Sequence, residues 1–233
     1  MSSGQVIVVT GGFGALGAVV GRTFVKQGAR VALVDRSSPP PSLAGQFGPD
    51  HVLRGGVDLT DAAATREALS DIAGRLGGID ALVNVAGGFR WEKLENGDPN
   101  TWDLMFAINL RTAVVATQAV LPHLLARGAG SIVNIGAGAA AARAAAGMGA
   151  YTAAKAGVQR FTESLADELK DRGITVNAVL PGTIDTPQNR AAMPDADVSR
   201  WVAPEAIARV IAFLVSDAAR AVTGASIAVN GRG

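Results

Sequence analysis

The chain of 233 residues contains no cysteine, which removes disulfides and thiolate metal sites from consideration. Its only histidines, His51 and His123, stand far apart without the spacing of a ligand pair, so no metal site is expected. Charge of either sign is also scarce. Charged residues make up 18% and the net charge is +1, with an isoelectric point near 8.2. That balance is too even for a nucleic-acid surface. There is no Lys/Arg run and no coiled-coil heptad. Met1-Ser2-Ser3-Gly4-Gln5 lacks the basic region and long apolar stretch of a signal peptide, so a cytoplasmic location is expected. The longest tract of small apolar residues, Gly136 to Ala146, is broken by Arg143 and too short to cross a bilayer, so no membrane partner is expected. No serine lies between Ser131 and Tyr151.

What is present is a globular composition, 48% hydrophobic with 29 glycines. Val6-Ile7-Val8-Val9 is a continuous apolar run bounded by turn residues, the pattern of a strand buried on both faces. Similar runs occur at residues 31–34, 81–83, 132–135, 175–179 and 227–229, with a further short strand near Val52-Leu53. Helical patterns lie between them over 16–27, 62–76, 101–125, 150–170 and 204–215. Strand alternating with helix predicts an α/β fold, a parallel sheet of about seven strands with helices on both faces. No linker divides residues 1–233, so one domain is expected. Pro39-Pro40-Pro41 fits a surface turn. The Ala-rich stretch from Gly138 to Gly147 reads either as a loose loop or as a wall of a site at the sheet's carboxyl end.

Thr10-Gly11-Gly12-Phe13-Gly14-Ala15-Leu16-Gly17 follows the first strand and opens the first helix. Gly12, Gly14 and Gly17 satisfy G-x-G-x-x-G, which lets backbone approach a pyrophosphate at a helix N-terminus. Asp35 closes the second strand at the distance where an acid binds the adenosine ribose and repels a 2′-phosphate. NAD(H) is therefore the preferred cofactor. Arg36 beside it can accept a 2′-phosphate, which leaves NADP(H) open. Further along, Tyr151 and Lys155 lie one helical turn apart in Tyr-Thr-Ala-Ala-Lys. An ammonium beside a phenol favours phenolate, so a lowered tyrosine pKa and a general acid–base role are expected.

With these motifs together the whole chain resembles the short-chain dehydrogenase/reductase family, which implies a Rossmann-type doubly wound sheet. Thr10, Gly11 and Gly17 match that family's first loop, although Ala15 replaces its middle glycine. The resemblance implies that Asp58 and Leu59 lie at the adenine and that Asn84, Ala86 and Gly87 line the cofactor. It further implies that Asn109 holds a proton-relay water and that Pro181, Gly182, Ile184 and Thr186 contact the nicotinamide carboxamide. Lys155 would also hold the nicotinamide ribose. A homodimer or homotetramer built on the long helices is implied as well.

The family's serine would fall on Ala137 or Gly138, and neither side chain can donate a hydrogen bond. Arg143 and Thr152 are the nearest candidates to replace it. One branch, the quinonoid dihydropteridine reductases, is similar in also lacking that serine. This chain resembles the branch at Gly14-Ala15-Leu16-Gly17, at Val85-Ala86-Gly87-Gly88-Phe89 and at Gly147-Met148. The longest likeness is a lid over about 183–203, with Asp185-Thr186-Pro187, Asn189-Arg190, Met193-Pro194, Asp197 and Trp201. The resemblance implies hydride transfer to a planar conjugated small molecule, with Phe89, Ala137, Gly138, Met148 and Trp201 around it. Trp91 is a further aromatic that could stack on a flat substrate. The alternatives are a ketone, quinone or oxoacyl reductase or alcohol dehydrogenase of the same fold, and an NAD-binding protein that no longer catalyses.

Overall fold

A computed structural model describes residues 4–232 of the chain. Seven strands form one sheet in the order β3-β2-β1-β4-β5-β6-β7, and every pairing is parallel. They are β1 (Val6–Thr10), β2 (Arg30–Val34), β3 (Val52–Arg54), β4 (Ala81–Asn84), β5 (Gly130–Ile135), β6 (Ile174–Pro181) and β7 (Ser226–Val229). The central strands are apolar at consecutive positions because both faces are covered. Ile7 and Val9 pack toward α1 (Ala15–Lys26) and α9 (Pro204–Val215). Val6 and Val8 pack on the opposite face with α3 (Ala62–Leu76), α5 (Thr112–Arg127) and α7 (Gly149–Leu169).

Local chemistry sets the helix ends. Asp61 caps α3 by accepting from Ala63 N at 2.8 Å and Ala64 N at 3.1 Å, and Gly77 ends it in the left-handed region at φ 74°. The single helix expected over 101–125 is a composite: α4 (Pro99–Phe106), a π-helical turn over Ala107–Arg111, then α5. Such wide turns cluster at functional sites, and this one carries Asn109. By length and composition the run Pro99–Arg127 could cross a membrane, but half of its most apolar stretch is buried as a core helix. The Ala-rich stretch forms only a short helix, α6 (Gly138–Ala141), before continuing as loop. Two other short helices, α2 (Pro41–Ala44) and α8 (Pro187–Ala192), complete the set among the described residues.

Between β1 and β4 the strand order reverses direction, which opens a crevice at the carboxyl ends of the strands. The mapped motifs fall along this edge.

Candidate functional site

The first loop is shaped by its glycines. Gly11 has φ +62°, and a Cβ there would stand 2.8 Å from both Cα and N of Ala86. A Cβ on Gly12 would stand 2.6 Å from Leu33 Cβ. The loop is therefore pressed against β2 and the segment after β4. Gly14 differs, since its φ of −74° is open to any residue and a Cβ there would meet only Gly11 O at 3.3 Å. Its missing side chain leaves room beside an N-terminus of α1 that has no side-chain cap. Leu16 is buried in the core, so this residue offers only backbone. Asp35 accepts from Phe13 N at 3.1 Å, and its other oxygen accepts from Ser37 N at 3.0 Å and Ser37 Oγ at 2.8 Å. That carboxylate fastens the loop to the end of β2 while staying half-buried at the crevice edge. Free helix-end amides, an unfilled cradle at Gly14 and an acid beyond β2 fit a dinucleotide.

Several implied contacts prove to be internal. Asn84 donates to Asn134 Oδ1 at 2.9 Å and Thr117 Oγ1 at 3.2 Å, and its own oxygen faces Thr10 Oγ1 at 3.5 Å. With Asn134 donating to Thr162 Oγ1 at 2.9 Å, a buried polar ladder crosses β1, β4 and β5 to reach α7. Asn84 thus ties the sheet together and does not project into the crevice, because burial requires its amide to be satisfied. Nothing in the apolar periodicity announced Asn134 or Thr162. Leu59 is likewise core. Asp58 is exposed and accepts from Thr60 N at 2.9 Å and Thr60 Oγ1 at 2.8 Å. Those bonds, from the backbone first, hold its carboxyl below the usual range, with Arg36 adding a smaller pull. Thr186 caps α8 by accepting from Asn189 N at 3.1 Å, and Ile184 pairs with Val202 in an isolated bridge.

Lys155 is buried, and its ammonium donates to Ile135 O at 2.7 Å, at the end of β5. Desolvation pulls its pKa down to about 8. Asn109 is also buried; its amide donates to Gly88 O and Met105 O, each at 3.0 Å, and its oxygen accepts from Gly88 N at 3.2 Å. Gly87 lies between the two: a Cβ there would stand 2.6 Å from Asn109 Oδ1 and 3.3 Å from Lys155 Nζ. Asn109 therefore clamps the loop after β4 against the ammonium. Tyr151 is half-buried on the first turn of α7, and burial pushes its phenol above the ordinary value. This reverses the expected lowering. Lys155 gives one of its three N–H groups to the Ile135 carbonyl, and desolvation is the cause that acts on the phenol.

Around Tyr151 the structure brings Phe89, whose ring meets it edge-on at 5.0 Å and 88°. Trp91 instead fastens the Ala-rich loop: its indole donates to Ala146 O at 2.9 Å, and Glu92 N donates to Gly147 O at 2.8 Å. Gly147, at φ +78°, has no room for a side chain beneath that indole. A cleft of about 570 Å³ lies between this strap and α4, lined by Arg90, Lys93, Trp102 and Ala150 but not by Tyr151. Met148 precedes α7, and its carbonyl accepts from Thr152 Oγ1 at 2.8 Å. Thr152 is thus committed, and Arg143 is exposed.

The lid is held by its own motif. Val202 N donates to Thr183 O and Asp185 N to Val202 O, both at 2.8 Å, closing its base. Arg190 binds Asp185 through two hydrogen bonds of 2.6 and 2.8 Å, and Asn189 donates to Ile184 O at 2.8 Å. Asp197 caps a 3-10 turn over Val198–Arg200. Trp201 sits at the lid's base, its carbonyl close to Gly231. The two histidines stay structural or peripheral: His51 Nδ1 accepts from Val31 N at 3.1 Å, and among the described residues no cluster suits a metal.

A family model described as short chain dehydrogenase matches residues 5–197. The chain belongs to the short-chain dehydrogenase family. It is accordingly an oxidoreductase by membership. D-threitol dehydrogenase of Mycolicibacterium smegmatis is 35% identical over 240 residues, covering 98% of this chain and 92% of that protein. 2-(S)-hydroxypropyl-CoM dehydrogenase 3 of Xanthobacter autotrophicus is 33% identical over 97% of this chain and 95% of its own length. Among solved structures, a 3-ketoacyl-(acyl-carrier-protein) reductase from Brucella melitensis complexed with NADH superimposes with a TM-score of 0.88. That pair shares 28% identity, with 99% of this chain and 98% of the other covered.

Proposed function

We propose that this short-chain dehydrogenase is an NAD(H)-dependent reductase of a flat, conjugated small molecule, with quinonoid dihydropteridine as the specific candidate. One observation carries the reading: Tyr151, Lys155 and Asn109 are all retained in buried or half-buried positions, while Ala137 and Gly138, in the turn from β5 to α6, carry no hydroxyl. A saturated ketone concentrates charge on one oxygen during reduction, and losing a donor there costs on the order of a hundredfold. A conjugated imine or quinone spreads that charge over its ring and tolerates the loss better.

The cofactor, when bound, supplies hydride. Backbone of the Gly11–Gly17 loop would hold its pyrophosphate, Asp35 its adenosine ribose and Lys155 its nicotinamide ribose. Tyr151 then delivers the proton. At neutral pH the phenol carries the proton that a reduction needs, while the burial that raises its pKa makes it a weaker acid. Phe89 offers the exposed part of its ring as a stacking surface beside that phenol. Small-molecule turnover in the cytoplasm by a homodimer or homotetramer completes the proposal.

The relatives support a second reading, reduction of ketones or oxidation of alcohols, since their names describe such activities. The lid supports the pteridine reading less than its sequence suggests, because Asp185, Thr186, Asn189 and Arg190 are occupied in bonding the lid to itself. NADH oxidation followed at 340 nm with quinonoid dihydropterin, 9,10-phenanthrenequinone and simple ketones decides between them. Fast pterin or quinone turnover with slow ketone turnover is expected. Prompt ketone turnover without pterin or quinone activity refutes the proposal.

A further inference from the structure

Residues 88–92, between β4 and α4, form a strap with an anchor at each end. At one end Asn109 accepts from Gly88 N at 3.2 Å and donates to Gly88 O at 3.0 Å. At the other, Glu92 accepts from Asp98 N at 2.9 Å and from Thr101 Oγ1 at 3.0 Å. Thr101 and Asn109 are both buried, one on α4 and the other on the π-helical turn that continues it. The strap therefore rests on a single support. Between its anchors stand two aromatic side chains that both reach toward the start of α7. The Phe89 ring meets Tyr151 at 5.0 Å. The Trp91 indole donates to Ala146 O at 2.9 Å, and the next residue, Glu92, donates from its backbone to Gly147 O at 2.8 Å.

The Ala-rich loop depends on that hold. Among the described residues, the hydrogen bonds that tie segment 139–148 to distant chain are the two from Trp91 and Glu92. A Cβ on Gly147 would overlap three atoms of the indole, so glycine and tryptophan form a matched pair. Directly after this loop comes α7, whose N-cap residue, Met148, supplies no side-chain cap. Tyr151 lies on its first turn, so where Ala146 and Gly147 are held decides where the phenol stands. We propose that Trp91 is a positioning residue for the proton donor: by latching Ala146 and Gly147 to the strap, it holds the first turn of α7 and keeps the Tyr151 ring in place against Phe89. This assignment rests on the reductase reading above. It also gives the indole a use other than stacking on substrate, since its N–H and its ring are both engaged by the loop.

The test uses full-length enzyme with NADH, quinonoid dihydropterin and 9,10-phenanthrenequinone as probes. Trp91→Ala is expected to lower kcat by at least about tenfold, since a misplacement of about 1 Å costs up to on the order of a hundredfold. The NADH dissociation constant should stay unchanged. A second reading needs no turnover. Tyr151 is the one tyrosine of the chain, so absorbance at 295 nm follows its ionisation. Releasing the latch opens the phenol to water, and the titration midpoint of Trp91→Ala should fall below that of wild type. A loss of stability alone moves neither reading in enzyme that remains folded. Trp91→Phe keeps a ring over Gly147 and loses the bond to Ala146 O. It should show both changes in smaller measure, about threefold in kcat. In Trp91→Ala, or in Trp91→Phe if the first does not fold, a kcat within about twofold of wild type overturns the proposal. An unmoved midpoint overturns it equally. If wild type oxidises NADH with none of the probes, the reductase reading fails on its own, and the midpoint alone decides whether Trp91 positions Tyr151.

Discussion

Lys155 gives the structure a sharp test, because its burial has a sign as well as a size. The ammonium's ordinary pKa of 10.5 falls to about 8 in the fold, driven by desolvation. At ~1.4 kcal/mol per pH unit this difference is about 3 kcal/mol. Below pH 8 both folded and unfolded chains carry the proton, and the whole penalty weighs on the fold. Between pH 8 and 10.5 the unfolded chain still binds a proton that the folded chain has released, so stability rises with pH. Tyr151 works in the opposite direction. Its folded pKa lies above the ordinary 10.0, so above pH 10 the unfolded chain loses a proton that the fold keeps, and stability falls. The readable window is therefore pH 8 to 10. Urea unfolding of the cofactor-free enzyme should gain about 2–3 kcal/mol across it, or roughly 5–10 °C in Tm for a chain of this size. Lys155→Met should remove this rise. Its stability at pH 7 is a poorer guide, since losing the 2.7 Å bond to Ile135 O costs about 1–3 kcal/mol and offsets the relief of desolvation. A wild-type slope equal to that of Lys155→Met would refute the buried, weakly basic ammonium.

Three further outcomes follow from the same geometry. The chain has one tyrosine, so absorbance at 295 nm titrates Tyr151 alone; its midpoint should lie above 10 without cofactor, and a value below 9 would show that Lys155 acts on the phenol despite its bond to Ile135. Gly11→Ala should destabilise the fold by at least about 2 kcal/mol and weaken NADH binding, because it combines a positive φ with a clash against Ala86; unchanged urea unfolding would contradict the loop geometry. Asp35→Ala should narrow the gap between NADH and NADPH in kcat/KM by at least about tenfold, since it removes the carboxylate that repels a 2′-phosphate; a wild type that already prefers NADPH would overturn the cofactor reading.

Strand and helix positions were legible because parallel sheets write their burial into the chain. The run Val6–Val9 is apolar at every position, and it became a central strand with both faces covered. The Asp61 cap and Gly77 stop make α3 coincide with its expected span of residues 62–76. Periodicity could not show the π-helical turn at Ala107–Arg111, since a widened turn keeps the same residue types on the same general face. Nor could it separate residues that face a ligand from those that face the protein. Asn84 and Thr186 look like site residues in sequence, yet one ties strands together and the other caps a helix.

By itself the sequence determined the family's frame: a glycine-rich loop after β1, an acid after β2, a tyrosine and lysine one turn apart, and a strand end without serine. Those features are local, set by residue type and spacing along a few turns of chain. Only tertiary structure decided the electrostatics and the company each group keeps. The Tyr151 phenol is raised, not lowered, because burial acts on it while Lys155 is turned to the Ile135 carbonyl. Asn84 reaches Asn134, distant in sequence, only because β4 lies beside β5 in the sheet. Desolvation and contact between distant strands are properties of the packed chain, and no spacing rule contains them.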